Sequence, residues 1–227
     1  MIAAVGYLGI YRASKIIAGA SLPRALALFQ VWSRRACALL RLSIRVHGQV
    51  PDGNYVYISN HRSYLDIAVL ASVLGVTFLS NDDVATWPVV GAAASELGVV
   101  FVDRAETRAR VRAARQIIRK LHDTSMVVFA EGTTHGGELP GPFHEGLFRL
   151  LARLERPAVP VTLRYSSRRA YWIDDISVGE HLRREVLANG PLRVDVHIGA
   201  PISPCDDFSK KVYDAVCAPL LASGEMV

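Results

Sequence analysis

His61 and Asp66 stand five positions apart in the segment Asn60-His61-Arg62-Ser63-Tyr64-Leu65-Asp66, directly after the run Asn54-Tyr55-Val56-Tyr57-Ile58-Ser59. Imidazole is the common general base near neutral pH, and a carboxylate can fix its tautomer and stabilise the imidazolium. On one continuous helix, positions i and i+5 lie about 140° apart. The two side chains can therefore face each other only if the chain turns between them. Ser63 is a candidate N-cap for a helix that carries Asp66. The residues alone leave a second reading open, in which His61 is a loop histidine and Asp66 a helix-start carboxylate that serves the macrodipole.

Three further segments combine a strand-like run with residues that can bind or react. Gly98-Val99-Val100-Phe101-Val102-Asp103-Arg104 puts an arginine at a strand exit, where it can hold an anion or pair locally with Asp103 or Glu106. Phe129-Ala130-Glu131-Gly132-Thr133-Thr134-His135-Gly136-Gly137 runs from a strand into an acidic residue, a glycine and two hydroxyls. Gly132 permits close backbone approach to a ligand and the threonines can donate hydrogen bonds, although a plain glycine-rich turn fits as well. A phosphate loop of the Walker type is excluded, because its lysine is missing and the glycine spacing differs. Pro157-Ala158-Val159-Pro160-Val161 is an apolar strand with internal proline, which reads by default as a core strand and is also consistent with an edge strand or the wall of an apolar tunnel.

Other chemistry is disfavoured by composition. Cys37, Cys205 and Cys217 are far apart and lack metal-ligand spacing, so they read as reduced thiols. His122, His135, His144 and His181 do not form a metal set and read as surface or loop histidines. No Gly-x-Ser-x-Gly elbow is present.

The elements that must position these residues alternate. Strands are expected at 54–59, 76–79, 98–102, 126–129, 158–164 and 193–198, and helices at 63–73, 84–97, 105–122, 144–155, 179–188 and 207–222. That order predicts an α/β domain with a central, largely parallel sheet flanked by helices. The chemistry-bearing residues fall after strands, where such folds place their sites. The expected helix 105–122 and the arginine before it carry Arg104, Arg108, Arg110, Arg112, Arg115, Arg119 and Lys120. These either steer an acidic donor or form a solvated face.

The N-terminal fifth differs from the rest. Residues 1–51 hold seven Arg and Lys and no Asp or Glu, so the net charge of +5 resides there; the remainder has 19 basic against 21 acidic residues, a net of −2. Amphipathic segments at about 3–19 and 24–42 flank a break at Ser21-Leu22-Pro23. Their arginines are set among Ile, Leu, Phe and Trp, which suits a membrane surface better than nucleic acid. The mean hydropathy of +0.23 agrees with lipid contact or a large apolar pocket. The longest charge-free run, 67–81, falls short of the ~20 residues a spanning helix needs. Residues 1–11 also lack the basic start of a cleavable signal. The expected organisation is a basic membrane-associating helical segment over 1–50 and a catalytic domain over 51–227.

In order, His-x4-Asp, Gly-x-x-Phe-Val-x-Arg, Phe-x-Glu-Gly-Thr and Val-Pro-Val resemble the four blocks of the PlsC-like glycerolipid acyltransferase superfamily. The likeness is greatest to the bacterial branch acting on lysophosphatidate or lyso-ornithine lipid. Trp87-Pro88-x-x-Gly91 and Ile198-Gly199-Ala200-Pro201-Ile202 extend it to about 53–205, and the N-terminal segment is similar to that family's two-helix membrane anchor. The resemblance implies that His61 deprotonates an acceptor hydroxyl, that Asp66 orients it, and that Arg104, Glu131, Gly132 and Thr133 form the acceptor-headgroup side. It implies no cofactor and no metal; acyl-CoA or acyl-carrier protein enters as co-substrate, with a lysolipid acceptor at the cytoplasmic face of the membrane. Three positions depart from the family pattern. Ala130 replaces a usual proline, Thr134 an arginine common in lysophosphatidate enzymes, and Asn81 a frequent lysine. Losing two cations favours a lysolipid other than a simple phosphomonoester. With no cysteine in the four blocks, direct attack of the hydroxyl on the thioester is expected. A hydrolase or transacylase using the same pair, and a non-catalytic lipid-binding protein, are the alternatives.

Overall fold

The computed structural model describes residues 21–81, 97, 99–102, 107–173 and 176–222. The expected amphipathic segment 3–19, the helix 84–97 and the Trp87-Pro88-x-x-Gly91 pattern lie outside the described residues, in whole or in large part. Among the described residues seven strands form one sheet: β1 (Leu42–His47), β2 (Val56–Ser59), β3 (Thr77–Asn81), β4 (Val100–Val102), β5 (Met126–Phe129), β6 (Ala158–Tyr165) and β7 (Leu192–Ile198). Their spatial order is β1-β7-β6-β2-β5-β3-β4, parallel throughout except between β6 and β7. The α/β class and the largely parallel sheet are as the alternation predicts.

Strand composition explains the layering. Every residue of β2 is buried, as are the first three of β5, which is the near-continuous apolar pattern of a sheet covered on both faces. Side chains alternate between two cores. Tyr57, Val127, Val159, Val161, Leu163 and Tyr165 pack on one face with Leu65, Val69 and Leu70. Val56, Ile58, Met126 and Val128 pack on the other with Ile117, Leu121, Phe148, Leu151, Phe208 and Val212. The first face is covered by α1 (Leu22–Leu39) and α2 (Leu65–Leu74); the second by α3 (Thr107–Asp123), α4 (Glu145–Arg153) and α6 (Phe208–Leu221). Between β6 and β7 come a 3-10 turn (Arg168–Ala170), the short α5 (Val178–His181) and a π-turn (Leu182–Leu187).

Two expectations are corrected and one open reading is decided. The boundary at residue 50 fails because Leu42–His47 is a strand paired in parallel with β7, so the sheet begins inside the N-terminal fifth. The strand with Pro160 is the core strand of the default reading and not an edge, because β6 lies between β7 and β2. The proline is tolerated where β7 ends: a Cβ on Gly199 would stand 2.7 Å from Pro160 Cγ, so only glycine leaves room for the ring. His181 is not a surface histidine. It is buried, its Nε2–H donates to the Tyr171 carbonyl at 3.0 Å, and Nδ1 therefore accepts from the Tyr64 hydroxyl at 3.1 Å. Burial keeps the His181 pKa below its ordinary value, with the neighbouring carbonyls and Glu185 opposing that shift in part.

Helix α1 does more than present a basic face. Arg34 Nε donates to the Ser72 carbonyl at 3.0 Å, and Gln30 Nε2 reaches the Ser72 and Val73 carbonyls at 3.4 and 3.3 Å. Both side chains satisfy carbonyls in the last turn of α2, where a cation also complements the helix dipole. Among the described residues no helix is long and apolar enough to cross a membrane.

Candidate active site

The parallel strands β2, β5 and β6 end on the same side of the sheet, and the chain leaving β2 makes the turn that His61 and Asp66 require. Asn60 is completely buried, and its side-chain amide prolongs the β2–β6 ladder: Nδ2 donates to the Leu163 carbonyl at 2.9 Å and Oδ1 accepts the Leu163 N–H at 2.7 Å. The side chain bonds where the next peptide would, so the backbone is free to turn out of the sheet at His61. Residues 61–63 form the turn and Asp66 enters on the first turn of α2, with Tyr64 at the cap position. Ser63 is one residue earlier than a strict N-cap, yet its hydroxyl accepts the Leu65 N–H at 3.3 Å.

His61 Nδ1 lies 2.8 Å from Asp66 Oδ2. The same oxygen accepts the backbone N–H groups of Arg62 at 2.6 Å and Ser63 at 2.9 Å, and Oδ1 accepts the Tyr165 hydroxyl at 2.7 Å. Asp66 is wholly buried. An ionised carboxylate in that position is sustained by its four donors. Because Asp66 accepts at Nδ1, that nitrogen carries the proton and Nε2 is left to take one up. The imidazole lies flat on Phe129, 3.9 Å between ring centroids, which fixes the plane in which Nε2 points.

Glu131 ties this turn to the loop after β5. Oε1 accepts the His61 N–H and Oε2 the Gly141 N–H, each at 2.7 Å, while the His135 N–H donates to the His61 carbonyl at 2.9 Å. Burial raises the Glu131 pKa above its ordinary value, against the two backbone donors and the charges of Arg62 and His135. Gly132 follows with φ +82°, a left-handed conformation that a β-branched side chain would strain. Arg62, also wholly buried, reaches past this clamp. Its Nη1 donates to the His135 carbonyl at 2.7 Å, its Nη2 to the Glu138 carbonyl at 3.0 Å, and its guanidinium sits 5.2 Å from the Tyr171 ring centroid. A basic nitrogen held against a buried carboxylate and stitched to a second loop is an arrangement that can abstract a proton and receive it as imidazolium.

The profile of the family described as Acyltransferase matches residues 43–164, more than half of the chain. The chain belongs to the Acyltransferase family. As a member it is 35% identical over 191 residues to the lyso-ornithine lipid O-acyltransferase of Rhizobium meliloti, covering 75% of this chain and 65% of that protein. It is 31% identical over 208 residues to the Brucella abortus protein of the same name, covering 79% and 78%. The chain thus spans just under two thirds of the Rhizobium meliloti relative. The fold is similar to the crystal structure of PlsC, the 1-acyl-sn-glycerophosphate acyltransferase of Thermotoga maritima, with a TM-score of 0.68 at 23% identity over 89% of this chain and 80% of that one.

Within this Acyltransferase-family fold, His61, Asp66, Glu131, Gly132 and Thr133 gather at one end of the sheet, and Thr133 is exposed. Arg104 lies outside the described residues. Glu131 differs from the expected headgroup contact: it is 7% exposed and each carboxylate oxygen already accepts a backbone N–H. Of the residues missed from sequence, Arg62 lay inside the His61–Asp66 segment and only its charge hinted at a role. Tyr165 closes an apolar strand and gave no signal. On α3, Arg115 and Arg119 are exposed opposite buried Ala113, Ile117 and Leu121. Among the described residues no group of three or more His, Cys, Asp or Glu is arranged to hold a metal.

Proposed function

We propose that the chain is an O-acyltransferase that moves a fatty acyl group from acyl-CoA or acyl-carrier protein onto the hydroxyl of a lysolipid. The observation that carries this reading is the 2.8 Å contact between His61 Nδ1 and the fully buried Asp66. His61 Nε2 takes the acceptor's hydroxyl proton as the oxygen attacks the thioester carbonyl. The tetrahedral adduct collapses with cleavage of the C–S bond, the ester forms, and the proton passes from the imidazolium to the departing thiolate. Asp66 holds the productive tautomer and balances the imidazolium charge. Glu131 and Arg62 act on the acceptor through the loops they hold.

Lyso-ornithine lipid is the proposed acceptor. Thr134 and Asn81 supply no cation for a phosphomonoester, and the two relatives described above are named for that lipid. Arg104 and Thr133 are proposed on the headgroup side. The basic N-terminal segment with α1 is proposed to rest on the cytoplasmic face of the membrane.

The test is mass-spectrometric detection of diacyl product in vesicles. Wild type and His61→Ala would receive acyl-CoA or acyl-carrier protein with lyso-ornithine lipid, lysophosphatidate and other lysophospholipids. A product that depends on His61 supports the reading and names the acceptor. Free fatty acid released without acceptor would point to a hydrolase. Lipid binding without any product would leave a binding protein.

A further inference from the structure

We infer that Tyr165 is a positioning residue for the proposed reaction, acting on His61 through Asp66. The inference rests on the proposed function of that site. Tyr165 is the last residue of β6, beyond the four residues of β6 that pair with β2. Its register is held there by Asn60, whose amide binds Leu163 at both backbone atoms. Alternation along the strand puts Val161, Leu163 and Tyr165 on the face that carries α2. The phenol thereby reaches the carboxylate oxygen of Asp66 that His61 does not contact.

The two carboxylate oxygens are loaded unequally. Oδ2 takes His61 and two backbone N–H groups, whereas the bond at Oδ1 comes from the Tyr165 hydroxyl at 2.7 Å. Without it, one oxygen of a buried anion would have no donor, and the carboxylate, held through Oδ2 alone, would keep its contact with His61 but lose the fixed tilt that orients the ring. Burial first, and the charge of Asp66 second, raise the phenol pKa well above its ordinary value, so Tyr165 remains a donor wherever the protein is folded. The hydroxyl also shares the negative charge of Asp66. Removing it concentrates that charge on the imidazole side and strengthens the carboxylate's hold on a protonated His61.

The test is Tyr165→Phe, which keeps the ring and removes only the oxygen, assayed with the lysolipid and thioester that wild type uses. The expected result is kcat lower by about tenfold with KM for both substrates within about twofold. The acid limb of the kcat/KM–pH profile should move to higher pH by about half a unit to one unit. Phe148→Leu, on the far face of the sheet, is the control for lost packing: it should lower the melting temperature without moving the acid limb. A Tyr165→Phe enzyme with wild-type kcat and an unmoved limb would overturn the inference, as would a loss of kcat matched by Phe148→Leu at equal loss of stability. His61→Ala in the same assay separates the two levels of the argument. If that variant stays active, the proposed function fails; if it is inactive while Tyr165→Phe behaves as wild type, only the role of Tyr165 fails.

Discussion

Among the described residues, two histidine–aspartate pairs of similar geometry stand in opposite surroundings. His61 Nδ1 and Asp66 Oδ2 are 2.8 Å apart; His47 Nε2 and Asp195 Oδ1 are 3.1 Å apart at the β1–β7 edge of the sheet. Asp66 is fully buried and bound by neutral donors and one imidazole. Asp195 instead has cations around it, with Arg164 at 3.2 Å and Arg193 at 3.7 Å. The His47 side chain is 48% exposed and stacks on His197 at 4.3 Å, whereas that of His61 is 17% exposed and stacks on Phe129. A histidine beside a carboxylate therefore does not by itself specify one electrostatic environment. The imidazolium formed at His61 would meet a carboxylate whose charge no Arg or Lys among the described residues neutralises at contact distance. At His47 the arginines already share that charge, and solvent screens the remainder.

The comparison breaks or sharpens under substitution. The largest contrast is expected between His61→Ala and His47→Ala, the first lowering turnover by about 10²–10⁴-fold and the second leaving it within about threefold. Equal losses, measured as diacyl product per enzyme, would show that environment does not separate the pairs. Next comes exchange of each carboxylate for its amide. Asp66→Asn presents an N–H group to donors that need an acceptor, and should lower kcat by about 10²-fold or more. Asp195→Asn should leave kcat unchanged, so a large loss there would give the edge pair a part in catalysis.

The smallest effect concerns stability. Burial pushes the Asp195 pKa up, but the hydrogen bonds and charges of His47 and Arg164 outweigh it and hold the group below its ordinary value of 3.8. A depressed carboxylate stabilises the fold above its unfolded pKa, and that contribution is lost as pH falls through the lower folded value. Asp195→Asn should thus cost about 1 kcal/mol or less at pH 7 in urea unfolding, with the difference from wild type shrinking below about pH 3.8. A deficit that persists at low pH would mean the loss is one of packing rather than charge.

Much of this architecture was legible, for identifiable reasons. Strands β2, β5, β6 and β7 are short apolar runs bounded by turn residues, and their expected ranges fall within two residues of those observed. The strand β1 was missed because Leu42-Ser43-Ile44-Arg45-Val46-His47 mixes charge with apolar residues, as an edge strand does, and continues directly from the basic helix. That His61 and Asp66 could meet was legible because both lie in one segment and the chain has only to turn between them. The backbone contacts of Glu131 were not legible because a carboxylate that binds backbone amides cannot be told in sequence from one that faces a ligand. Tyr165 comes from 99 residues away in the chain, and a tyrosine ending an apolar strand is indistinguishable from ordinary core until β6 is laid beside β2.

Asn60 has a bearing on how the protein ages. Asparagine side chains deamidate when the following backbone nitrogen attacks the amide carbon to close a succinimide ring. Here that nitrogen belongs to His61 and is held by Glu131, while both polar atoms of the amide are held by Leu163. The attack would have to break all three bonds at once, so the residue beside the proposed base is protected for as long as the chain stays folded. Once the protein unfolds that protection ends. An aspartate formed there would set a carboxylate against the Leu163 carbonyl on refolding, so chemical damage acquired in the unfolded state would be carried back into the turn that holds His61.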